Sequence, residues 1–123
     1  MTDRASVHLF QQLQDLRIET VDVGFARYAL RVADDLPVDE WAHTDTDAHE
    51  ICLRCDLDDG PAREFLMHEL THCVLEVVGY TGQDENKIHG DTNEDMTTKL
   101  SRGFLLLVRL NPDLMAALCE SDA

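Results

Sequence analysis

Between Pro61 and Gly79 the chain sets Leu66, Leu70, Cys73 and Val77 at steps of four, three and four, with Glu64, Glu69, Thr71 and Glu76 in the gaps. A helix brings residues so spaced onto one face, and burying that face against another layer is what repays the ordering of the segment. Asp58-Asp59-Gly60-Pro61 marks the start, since Pro61 suits a first helical position, where its missing N–H costs nothing. Gly79 marks the stop. The spacing predicts a helix over 61–78, and the rest of the chain must supply the layer on which it packs.

Two strand-like stretches, Ile18 to Val23 and Ala26 to Val32, flank Gly24 and read as a hairpin. Residues 34–47 are acidic, contain Pro37 and hold no period, so they read as a loop, followed by a strand over His49 to Leu57. Upstream, Val7, Phe10, Leu13 and Leu16 recur every three residues and predict an amphipathic helix from Ala5 to Leu16. Downstream, Gly79 to Asp91 is a polar loop. Thr92 to Leu110 reads as a second long helix with Met96, Leu100, Phe104 and Leu107 inward. Asn111-Pro112 breaks it, and a short helix follows over Asp113 to Cys119. The expected class is α+β, a small antiparallel sheet packed against the 61–78 helix and the second long helix. All 123 residues form one expected domain, with 1–48 giving the N-terminal helix and strands and 49–114 the functional core.

Composition narrows the partners. Twenty-five acids against 10 bases give a formal charge of −15, which repels nucleic-acid phosphates and anionic membranes, so direct binding to either is not expected. Asp outnumbers Glu, and Lys occurs only at Lys87 and Lys99, as in salt-adapted proteomes or acidic viral proteins. No run of 18 apolar residues occurs, and the first residues lack a basic-then-apolar pattern, so the expected location is the cytoplasm, or that of the host if the protein is viral. Cys52 and Cys55 fall in one strand, three apart and on opposite faces, which disfavours a shared metal. With Cys73 and Cys119 they are expected to be ordinary buried thiols.

The helix over 61–78 also carries chemistry. His68-Glu69-Leu70-Thr71-His72 matches the HExxH pattern in helical context, and residues four apart share a face, so both imidazoles can reach one ion at about 2.0–2.1 Å. Glu69, one position round, is badly placed as a ligand but suited to take a proton from a water whose pKa zinc lowers to about 7. The expected chemistry is zinc-dependent hydrolysis with Glu69 as general base. The bland alternative is a chance HExxH with exposed imidazoles and a solvated carboxylate.

A third ligand must come from another segment, because Glu76 lies a further turn past His72, and Leu75 and Val78 stand where an extended HExxHxxGxxH motif needs Gly and His. Glu94, near the start of the second long helix, is the leading candidate, and small residues at Thr97, Thr98 and Ser101 would let that helix come close. His89, Asp91 and Asp95 are the other candidates. Against Glu94 stands a local role: Thr92 with Asp95 resembles a capping box, and acids in a first turn complement the helix dipole. His89 or Tyr80 could instead donate to a tetrahedral intermediate.

With these residues in view, the chain resembles the minimal zincins of the ImmA/IrrE type, and more closely the short metallopeptidase-like proteins of tailed phages and archaeal viruses. The resemblance runs from about His49 to Leu114: a strand, a polar turn, REFLMHELTH at 63–72, an acidic stretch, then a helix with Glu94 ending in RLNPDL at 109–114. It implies zinc as cofactor, peptide-bond hydrolysis of a protein or peptide substrate, and Glu94 as third ligand. Cellular members commonly follow the ligand Glu with Ala-Asn and then Phe-Ala, whereas here Asp95, Met96, Thr97 and Thr98 follow. The alternative reading is a catalytically silent zincin-fold viral structural or interaction protein.

Overall fold

The computed structural model of the chain describes residues 8–24, 26–79 and 93–120, the side chains of 93–95 excepted. In order, the elements are α1 (Leu9–Asp15), β1 (Thr20–Asp22), β2 (Arg27–Ala33), β3 (Ala42–Asp45), β4 (Glu50–Arg54), α2 (Asp59–Val77), α3 (Asn93–Leu110) and α4 (Pro112–Cys119). The class is α+β.

The four strands form one sheet in the order β1-β2-β4-β3. β1 and β2 make the expected antiparallel hairpin, with Val21 opposite Tyr28 and Gly24 in the turn at φ +102°, a backbone conformation that glycine adopts without strain. β3 and β4 are also antiparallel, with Thr44 opposite Ile51. β2 and β4, however, run parallel, Leu30 opposite Ile51, so the sheet is mixed rather than antiparallel throughout. The reason is connectivity. The chain leaving β2 passes over to the outer edge, lays down β3, and returns through a turn to insert β4 between the two.

β3 lies inside the stretch expected to be a loop. Ala42-His43-Thr44-Asp45 has no apolar alternation because an edge strand buries little, and its side chains are half-exposed or exposed. Its strand character comes from pairing with β4, whose Ile51, Cys52 and Leu53 are all buried.

α2 starts two residues before Pro61. Asp58 sits at the N-cap in extended conformation, and Asp59 in the first turn accepts from Leu9 N–H at 2.6 Å and from Arg63 Nε at 3.0 Å. Pro61 is thus the third helical residue, where the backbone N–H still has no helical partner to lose. α2 buries Ala62, Leu66, Leu70, Cys73 and Val74 into a core shared with Leu9 and Leu13 of α1, Val21, Tyr28, Ile51 and Leu53 of the sheet, Leu107 of α3 and Leu114 of α4. Each fully buried leucine contributes about 1.5–3 kcal/mol. In α1 the inward residues are Leu9 and Leu13, whereas Leu16, assigned inward by its spacing, caps the helix and is exposed. Val7 and residues 80–92, which include most of the stretch read as a polar loop, lie outside the described residues.

α3 comes close to α2 at Gly103. A Cβ there would stand 2.8 Å from Val74 Cγ1 and 3.0 Å from Val78 Cγ1. The expected small-residue contact, Thr97, Thr98 and Ser101, is instead exposed. Asn111, read from sequence only as a helix breaker, is buried: Oδ1 accepts from Asp22 N–H at 2.8 Å, while Nδ2 donates to Asp22 O at 2.7 Å and to Leu107 O at 2.8 Å. It ties the α3–α4 junction to β1.

Candidate metal centre

Besides the arc of Ala62, Leu66, Leu70 and Cys73 buried in the core, α2 places three further arcs at about 100° per residue. Glu69 turns toward β3, Val74 and Val78 toward α3, and His68 and His72 occupy the arc between them, which is exposed to solvent. The two imidazole centroids are 4.9 Å apart and the rings stand at 78° to one another. This is the face-sharing that four-residue spacing requires. Among the described residues no group of three or more His, Cys, Asp or Glu gathers at metal-binding distance.

Glu69 is buried, at 6% exposure, and its Oε1 accepts a hydrogen bond from the Thr44 hydroxyl at 2.7 Å. The bond joins the edge strand to the helix and fixes where the carboxylate points. The alternative of a merely solvated Glu69 does not hold, whereas the expected exposure of both imidazoles does. Thr44 has no signal in the sequence: it belongs to the polar stretch in which no strand was legible.

Deeper along the same side of α2 is a polar group in the core. Tyr28 is fully buried with its hydroxyl unpaired, and Glu76 buries Oε2, likewise without a hydrogen-bond partner. Burial, reinforced by Cys73, Glu76 and Asp45, pushes the Tyr28 phenol up to about 12. Burial, with Glu69 and Glu76 nearby, pushes the Cys73 thiol up to about 12 as well. Both are neutral at physiological pH. Neither is a nucleophile there.

The other cysteines divide. All four are free, Cys52 and Cys73 buried as expected, but Cys55 and Cys119 exposed. Cys55 lies beyond the end of β4, so the strand argument reaches only Cys52.

At the N-terminal end of the histidine arc, Trp41 stacks on Phe65 with ring centroids 6.5 Å apart and planes 11° apart. The Arg54 guanidinium lies 5.0 Å from the Trp41 ring centroid and donates to the carbonyls of Leu36, Pro37 and Val38, which holds the chain that leads into β3. A separate cleft of about 320 Å³, lined by Arg17, Thr20, Arg27, Asn111 and Pro112 among others, contains none of these residues.

Of the candidates for a third ligand, Glu94 falls in the first turn of α3, with its side chain and that of Asp95 outside the described residues. His89, Asp91 and Tyr80 lie wholly outside them. No helix of the described residues is long and apolar enough to cross a membrane. Comparison with known protein families, with curated proteins and with solved structures found no match.

Proposed function

We propose that this chain is a zinc-dependent peptidase acting inside the cell, with His68 and His72 as metal ligands, Glu94 as third ligand and Glu69 as general base. The observation that carries the reading is the ring geometry. Two imidazoles sharing a tetrahedral ion with bonds of about 2.0–2.1 Å have centroids on the order of 5 Å apart, and His68 and His72 stand at 4.9 Å on an open face. A zinc ion held there would polarise a peptide carbonyl and lower the pKa of a coordinated water.

The protein's own residues account for the proton. Glu69 takes it from the attacking water and returns it to the departing amine, with Thr44 holding the carboxylate in place for both transfers. A peptide substrate is favoured by β3: among the described residues no strand pairs with its outer edge, so an extended chain can add there beside α2.

One observation favours a second reading, a silent zincin-like interaction protein. A buried carboxylate with a hydroxyl on it is also what a purely structural glutamate looks like. Zinc analysis and cleavage mapping separate the two. Protein purified without chelator is expected to carry one equivalent of zinc, lost in His68→Ala and His72→Ala. Glu69→Gln should keep the zinc and lose about 10²–10⁴-fold in rate, read as new N-termini in host extracts. If Glu69→Gln produces the same cleavages as the wild type, the peptidase reading is wrong. Glu94→Gln should weaken zinc binding more than Asp95→Asn, and the opposite order would reassign the third ligand.

A further inference from the structure

The Trp41–Phe65 stack has no part in the chemistry above, yet it adjoins it from both sides. Phe65 precedes His68 by three residues and His72 by seven, so it continues the histidine arc one turn toward the start of α2. Trp41 directly precedes β3, three residues before the Thr44 that holds Glu69. The pair therefore sits where edge strand and helix meet, at one end of the metal pair.

Its build is that of a platform. The rings are nearly parallel, and Arg54, itself tied to three carbonyls, braces the indole. Even so, Trp41 is 48% exposed, and Val38, three residues before it, is 90% exposed. A braced aromatic pair left half in water gains free energy when another ring covers it, with little side-chain entropy left to lose. The chain has a single tryptophan, and it is here rather than in the core.

We infer that Trp41 and Phe65 form a specificity subsite for an aromatic side chain of the peptide bound along β3. The inference rests on the peptidase reading and names its substrate class, peptides with an aromatic residue next to the bond cut. Because Trp41 is the chain's only indole, its emission reports occupancy directly.

The test uses the zinc-loaded full chain and three metal-binding probes: acetohydroxamate, alanine hydroxamate and phenylalanine hydroxamate. Phenylalanine hydroxamate should bind about tenfold more tightly than alanine hydroxamate and shift Trp41 emission. In Trp41→Ala and Phe65→Leu the ratio of the two affinities should fall to within about threefold of one, and Trp41→Phe should restore most of it. Equal affinities in the wild type, or an undiminished ratio in Trp41→Ala, would overturn the subsite while leaving the metal site standing. Failure of the wild-type chain to take up zinc at His68 and His72 would remove the metal reading and this inference with it. Emission that shifts with protein concentration alone would assign the rings to contact between two copies, and would also overturn it.

Discussion

The bond from Thr44 to Glu69 joins two residues 25 apart in sequence through 2.7 Å, and in the proposed reaction it is the contact that would hold the base. Thr44→Val keeps the shape of the side chain and removes the donor. Turnover is then expected to fall about tenfold with KM and zinc content little changed, and Thr44→Ser to recover most of the loss. A loss of zinc in Thr44→Val would show that the hydroxyl supports the fold rather than the base. Cys73 and Tyr28 set a second residue-level expectation. In the unfolded chain the thiol ionises near 9.0 and the phenol near 10.0, whereas in the fold both hold their protons to about 12. Between those values the unfolded chain binds fewer protons, so stability is complete below about pH 9 and declines as pH rises toward 12. Thermal melts from pH 8 to 11 should show a falling Tm, with a shallower slope in Cys73→Ala. A Tm independent of pH there would remove the burial argument.

At the scale of elements, the α2–α3 contact is the most sharply determined. Gly103→Ala gains helix propensity, about 1 kcal/mol, but drives a methyl to 2.8 Å from Val74 Cγ1, and overpacking of that kind costs about 1–3 kcal/mol. Net destabilisation is expected in denaturant melts, relieved when Val74→Ala is added; simple additivity of the two changes would show that the helices part without strain. The elements also show what the sequence revealed. α2, α3 and the β1–β2 hairpin were legible because each writes its own period, and the two histidines because one helical turn suffices to relate them. β3 was not, since its order depends on β4 rather than on its own side chains. Nor was the parallel β2–β4 pairing, which follows from a crossing that no local pattern records. The role of Gly103 leaves no mark in the sequence, because a glycine inside a helical period reads as a weakness until Val74 and Val78 are placed beside it. The contacts of Thr44 with Glu69 and of Trp41 with Phe65 exist only because β3 is laid against α2.

For the whole molecule, a formal charge of −15 on 123 residues sets a repulsion that folding must overcome. Salt shortens its range from about 10 Å at 0.1 M to about 3 Å at 1 M, so Tm is expected to rise over that interval of sodium chloride. A flat or falling Tm would mean that the acids are already compensated by local partners. The same charge bears on the outermost strand. A sheet that ends in an unpaired edge is prone to polymerise by joining edges, chain upon chain. Here that edge is only four residues long, Asp45 ends it, and Glu40 lies two residues before it with its carboxylate 2.9 Å from His43 Nδ1. The Ala48 backbone N–H lowers the pKa of the Asp45 carboxyl from its ordinary value, which favours its charged form. Two such edges brought together would set carboxylate near carboxylate over a contact too short to compensate. A peptide without such charges would meet no such repulsion, so the proposed substrate strand and a second copy of the chain would fare differently at the same edge.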